Sequence, residues 1–144
     1  MKTKLLIIST LLLLLSIGIV VASDIDSQLK TPSEYGNIEN GCATYRTYPQ
    51  RAIYVEKVFG NIKEDYLTNR SQFQYEVNPV GNNIYYMKDG TLNFYGYFEV
   101  VEVNGVQYMI SVLQESKLSP SEEKELLDHI KEFNKINNLT PIAV

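Results

Sequence analysis

The sequence predicts an α+β domain: an antiparallel β-meander sheet of about four to six strands with one C-terminal amphipathic helix packed on it, preceded by an N-terminal signal or anchor helix. Three observations predict it. Segments rich in Tyr, Val, Ile and Thr follow one another between residues 44 and 114, separated by turn signals. A capped segment of helical period comes once, near the C-terminus. Residues 5–21 are almost wholly apolar behind two lysines.

The leader comes first in the chain. Lys2 and Lys4 make a basic start, only Ser9, Thr10, Ser16 and Gly18 interrupt the apolar run, and Val20-Val21-Ala22-Ser23 supplies the small residues of a cleavage site. The run exceeds the usual signal core of about 7–15 residues and approaches the roughly 18–20 that cross a bilayer. Residues 1–23 therefore read either as a cleaved signal peptide or as a retained anchor, with residues 5–22 in the membrane. Both readings leave the lysines inside and residues 24–144 outside the cytoplasm, secreted or anchored at the cell membrane. Cys42 lies too far beyond the apolar run to be a lipoprotein cysteine. Residues 24–40 are polar, with Pro32 and Gly36, and read as a linker; residues 41–144 read as a single domain.

Thr44–Tyr48 and Ala52–Phe59 are strand-like. In the second, Ile53, Val55, Lys57 and Phe59 share one face and Ala52, Tyr54, Glu56 and Val58 the other. Asn61–Ser71 is polar and reads as a loop or short helix. Gln72–Val77 alternates, and Asn78–Asn83 is a turn cluster. Ile84–Lys88, Thr91–Val103 and Val106–Gln114 then read as strands joined by Asp89-Gly90 and Asn104-Gly105. Both dipeptides suit two-residue type I′ hairpins, whose central residues take φ > 0. The second turn sets Val103 opposite Val106, Val101 opposite Tyr108 and Glu99 opposite Ile110. One face then carries Tyr95, Tyr97, Val101, Val103, Val106, Tyr108, Ile110 and Val112; the other carries Phe94, Phe98, Val100, Met109 and Leu113. Both are apolar enough to need cover. Gly96 within the strand points to a bulge or a close backbone contact.

Ser119-Pro120-Ser121-Glu122 has the form of a capping box with Pro at the first helical position. Leu126, Ile130, Phe133 and Asn137 fall on one helical face, flanked by His129 and Ile136. Early Glu122, Glu123 and Glu125 and late Lys131 and Lys135 suit the helix dipole. We expect the helix to end near Asn137-Asn138, to pack on the face of Phe98, Val100 and Met109, and to be followed by a tail (Leu139–Val144) able to add an edge strand.

The composition excludes several functions. With 13 basic and 17 acidic residues the net charge is −4, and without Lys2 and Lys4 the remaining 11 face 17. Nucleic-acid binding through a basic patch is not expected. One Cys and one His cannot build the usual zinc frameworks, and one Cys cannot close an internal disulfide. The sequence has no phosphate-binding glycine loop and no Gly-x-Ser-x-Gly elbow, and Asp24-Ile25-Asp26-Ser27 lacks the glycine and distal Glu of a calcium loop. No cofactor or metal is expected. Cys42 with His129 is the one combination that could make a thiol nucleophile with its base, but no third orienting residue is evident; the alternatives are an intermolecular disulfide through Cys42, or a buried or simply tolerated thiol with His129 as a partly buried packing residue. Asn69-Arg70-Ser71 matches a glycosylation acceptor within a polar stretch, making Asn69 the better candidate than Asn138.

The 11 tyrosines are the compositional oddity. Tyr95, Tyr97 and Tyr108 share one face and form either an aromatic platform for a partner or ordinary half-buried strand residues. The lysine-flanked leader ending Val-Val-Ala-Ser, the Asn- and Tyr-rich strand region and the closing Glu-Phe-Asn-Lys-Ile-Asn-Asn-Leu together resemble small exported proteins of unknown function from methanogenic archaea. That resemblance implies an extracytoplasmic address and no activity. The expectation is a non-enzymatic interaction module for a protein or glycan at the cell surface, its candidate surface Tyr95, Tyr97 and Tyr108. An inhibitor or accessory subunit of an envelope enzyme is the alternative, and a small thiol hydrolase using Cys42 and His129 a remote one.

Overall fold

The computed structural model describes residues 25–68 and 75–144. The leader and Asn69 lie outside these residues. Six strands, β1 (Cys42–Thr44), β2 (Arg51–Lys57), β3 (Tyr75–Gly81), β4 (Ile84–Asp89), β5 (Phe94–Val103) and β6 (Val106–Gln114), form one antiparallel sheet in the order β1-β2-β6-β5-β4-β3. Helix α1 (Pro120–Asn137) packs on it. β3 to β6 are a meander, but β2 lies against β6, so the connection after β2 must reach the far edge of the sheet. Among the described residues no helix is long and apolar enough to cross a membrane.

The β5–β6 hairpin has the expected register: Val103 faces Val106, Val101 faces Tyr108 and Glu99 faces Ile110. Asn104 (φ 52°) and Gly105 (φ 79°) make the two-residue turn. Asp89-Gly90 does not form the predicted tight turn. Asp89 pairs with Phe94 instead, and its Oδ1 accepts from the N–H groups of Thr91 and Leu92, each at 3.0 Å. The Asp side chain thus organises a four-residue loop, with Asn93 taking the positive φ of 57°. The predicted turn cluster at 78–83 also contracts. Asn82 and Asn83 (φ 54° and 59°) turn the chain, while Pro79 remains within β3. Because β3 is an edge strand, the missing N–H of Pro79 costs no ladder bond on the open side.

Helix α1 begins as the sequence indicates. The Ser119 hydroxyl accepts from the Glu122 N–H (3.2 Å) and Glu122 Oε1 accepts from the Ser119 N–H (3.0 Å). It ends at Asn138 in the left-handed conformation (φ 54°). The face it covers differs from the expectation. Leu126, Ile130 and Phe133 pack with Tyr97, Val101, Tyr108, Ile110 and Val112, not with Phe98, Val100 and Met109. The reason is polar. Arg51, Glu99 and Gln114 alternate onto the former face, and all three are buried. Arg51 and Gln114 bond to each other, and α1 brings partners to all three through Glu122, Glu125 and Asn134.

The opposite face is covered from two directions. After β2 the chain lays Ile62 and a π-helical turn (Lys63–Thr68) there; Ile62 and Leu67 pack with Val77, Phe98, Val100 and Met109. The tail returns to the same cluster with Ile142 and Val144. Its one backbone bond to the sheet, Ile142 N–H to Val100 O (2.8 Å), forms where β5 extends beyond its pairing with β4, so the tail completes a local edge without becoming a strand.

Residues 25–40 differ most from expectation. Rather than hanging as a linker, they bury Ile25, Leu29, Tyr35 and Ile38 in the same core as α1. The cause is a hairpin. Asn40 (φ 52°) and Gly41 (φ 72°) form a two-residue turn, Glu39 and Cys42 exchange both backbone bonds, and Tyr35 bridges to Tyr45. A Cβ on Gly41 would lie 2.6 Å from the Val55 carbonyl oxygen, so a side chain is excluded there twice, by contact and by φ.

Two stability outcomes follow from this packing. Phe133 is fully buried, so Phe133→Ala should cost about 3–5 kcal/mol in urea unfolding. A Cβ on Gly96 would meet the Val112 carbonyl oxygen at 1.9 Å, a backbone atom that cannot rotate away. Gly96→Ala should therefore cost at least about 2 kcal/mol, measured by the same titration.

Candidate functional site

Tyr95, Tyr97 and Tyr108 do share one face, but it is the face beneath α1, and each is at most 5% exposed. They cannot act as an open platform in this conformation. Tyr97 stacks edge-on with Tyr86 (5.4 Å between centroids), and burial pushes its hydroxyl up to about 12. Their place in the strand pattern was readable; that a helix would cover them was not.

Cys42 and His129 are not brought together. Cys42 pairs with Tyr54, and its half-buried side chain packs with Ala52, Tyr54, Phe94 and Leu113 on the face away from α1. His129 belongs to α1, so the sheet lies between the thiol and the imidazole. His129 is buried, with Nδ1 2.8 Å from the Tyr35 hydroxyl and its ring against those of Tyr35 and Tyr45. Burial, aided by Arg51, holds the imidazole below its usual range; burial also raises the Tyr35 phenol. The Tyr35 hydroxyl and the His129 imidazole thus meet as a hydrogen-bonded pair between residues 25–40 and α1.

Two buried polar clusters join α1 to the sheet. In the first, Arg51 donates through Nε (3.1 Å) and Nη2 (2.8 Å) to Gln114 Oε1 and through Nη1 to Glu125 Oε1 (2.9 Å). Gln114 Nε2 donates onward to Glu122 Oε2 (2.9 Å), and the Arg51 guanidinium lies 4.8 Å from the centre of the Tyr45 ring. Glu122, which also closes the capping box, is held below the usual carboxylate range by its bonds to Ser119 and Gln114. Each Arg51 nitrogen thus has a partner, and the buried guanidinium clamps β2 and β6 to α1.

The second cluster is Glu99 with Asn134. Asn134 Nδ2 donates to Glu99 Oε1 (2.7 Å), while Glu99 Oε2 and Asn134 Oδ1 have no partner among the described residues. Glu99 is wholly buried, and that burial raises its carboxyl from 4.5 to about 7, against the lowering effect of the Asn134 bond. These two buried oxygens without donors favour the uncharged form of the carboxyl. The pair is therefore best satisfied with Glu99 neutral.

Among the described residues, a cleft open to solvent lies beside α1, along residues 26–38. This cleft of about 420 Å³ is lined by Asp26, Lys30, Thr31, Ser33, Tyr35, Asn37 and Arg46, with Leu29, Pro32 and Ile38 as apolar ground. Its walls are tied from several sides. The Lys30 N–H donates to Asn137 Oδ1 (2.6 Å) and Asn137 Nδ2 donates to Lys30 O (2.7 Å), pinning the segment to α1. The Thr31 hydroxyl donates to Gly36 O (2.8 Å), the Gly36 N–H to Thr44 O (2.9 Å) and the Arg46 N–H to Glu34 O (2.8 Å). Asp26 accepts from the Gly41 N–H through both oxygens, at 3.2 and 3.3 Å; burial raises its carboxyl while that bond lowers it. Binding pockets are usually concave with a few convergent polar groups on an apolar ground; this cleft is concave and has a larger polar share. None of these residues was expected at a site. The one available signal was Asn40-Gly41, a hairpin dipeptide identical to Asn104-Gly105, which folds the preceding residues back onto the sheet.

Comparison with known protein families, with curated proteins and with solved structures finds no match to this chain.

The Glu99 pair makes stability depend on pH. The folded state keeps a proton that the unfolded chain releases above about pH 4.5, so stability contributed by Glu99 is full below that and falls as pH rises toward 7. The whole effect is about 3 kcal/mol. His129 acts oppositely: its depressed imidazole favours folding above about 6.5 and loses that contribution as pH falls. Urea midpoints between pH 5 and 7.5 should thus lose their decline in Glu99→Gln, leaving only the His129 rise toward neutral pH. A decline that persists in Glu99→Gln would place its origin elsewhere.

Proposed function

We propose that residues 24–144 are an extracytoplasmic interaction module, secreted or held at the membrane by residues 5–22, that binds a protein or glycan through the cleft along residues 26–38. The observation that carries this reading is the cleft itself. It joins hydroxyl, amide and charged side chains in one cleft open to solvent, while the two polar clusters between α1 and the sheet are buried. Its volume suits a sugar unit or the end of a peptide, not an extended macromolecular surface. The leader supports the address: a basic start, a long apolar run and a small-residue cleavage pattern.

The test is to fill the cleft without disturbing the core. Ser33 is exposed at the cleft wall, so Ser33→Trp should keep the urea midpoint of the parent chain. Retention of envelope glycans and peptides by immobilised protein should fall at least about tenfold, since a ring now occupies the space of the ligand. Undiminished retention by a folded Ser33→Trp chain would move the binding surface away from the cleft.

A further inference from the structure

The charges lining the cleft define its ligand more narrowly. Lys30, Arg46 and Asp26 are the charged residues that line it. Asp26 is already engaged, both oxygens accepting from the Gly41 N–H at the turn. Lys30 and Arg46 form no ion pair among the described residues. The Arg46 Nε donates to Ser33 O (3.0 Å), which orients the guanidinium and leaves its two terminal nitrogens available. The Lys30 backbone is held by two bonds to Asn137, and its side chain is exposed at the cleft. The result is a local positive site on a chain of net charge −4.

Resting on the reading that this cleft is the binding site, we infer that it receives a carboxylate, held between the Arg46 guanidinium and the Lys30 ammonium. A planar fork and a nearby point charge match a carboxylate, and charge-assisted bonds in a partly enclosed cleft are stronger than neutral ones. An acidic chain repels anions at long range, so affinity must come from these two groups at contact and weaken with added salt. Ser33 and Asn37, at the same wall, can bond to hydroxyl or amide groups adjoining the carboxylate. A sugar acid and a peptide C-terminus both present this chemistry.

The experiment is an NMR titration of the full chain in detergent micelles, following the amides of Thr31 and Ser33–Ile38. The probes are glucuronate and N-acetyl-dialanine, which carry the carboxylate, with glucose and N-acetyl-dialanine amide as neutral counterparts. We expect saturable shifts with one or both acids and none with its neutral counterpart; which acid binds distinguishes sugar from peptide. Arg46→Ala should weaken that binding about tenfold or more, with Lys30→Ala a second, independent loss. Equal binding of acid and neutral probe, or binding unchanged in both variants, would overturn the carboxylate inference while leaving the cleft as the site. No shift at these amides with any of the four probes would overturn both.

Discussion

The β5–β6 hairpin is apolar on both faces, and the rest of the structure follows from that constraint. A two-sided hairpin cannot sit at the surface, so every other element serves as its flank or its cover. β2 and β4 pair with its two edges. α1 and residues 25–40 cover one face, and the segment from Ile62 to Leu67 with Ile142 and Val144 covers the other. Gly96 lets the two central backbones approach where a Cβ would collide with the Val112 carbonyl.

Burying both faces left a second requirement, because the hairpin and its neighbour β2 carry Arg51, Glu99 and Gln114 into the interior. A buried polar group without a partner is costly, so the face holding these residues needed a polar cover. α1 supplies it twice, with Glu122 and Glu125 near its start and Asn134 near its end. The two clusters sit about three turns of helix apart and so fix both the direction and the rotation of α1 on the sheet.

Docking of α1 in turn builds the cleft. Asn137 on its last turn grips the Lys30 backbone, and His129 on its buried face meets Tyr35, so residues 26–38 are held between helix and sheet. That segment is held by hydrogen bonds to its carbonyls, while Lys30, Ser33 and Asn37 stay exposed along the cleft. A binding loop on a rigid support is the common arrangement for recognition. The proposed interaction module therefore depends on the same helix placement that satisfies the core.

The helix, its capping box and its end, the strands of the meander and the Asn104-Gly105 register were legible in the sequence, because each depends on neighbours within a few residues. So was the close contact at Gly96. The face chosen by α1 was not read correctly from apolar pattern, since both sheet faces are apolar; the alternation of Arg51, Glu99 and Gln114 held the deciding information. The site was missed with residues 24–40, whose polar composition resembles a linker although Ile25, Leu29, Tyr35 and Ile38 are widely spaced anchors. Burial of Tyr95, Tyr97 and Tyr108, separation of Cys42 from His129 and assembly of Lys30 with Arg46 all depend on which surfaces meet. Local periodicity and turn chemistry determine elements; only long-range packing, governed by the need to partner buried polar groups, decided where they lie.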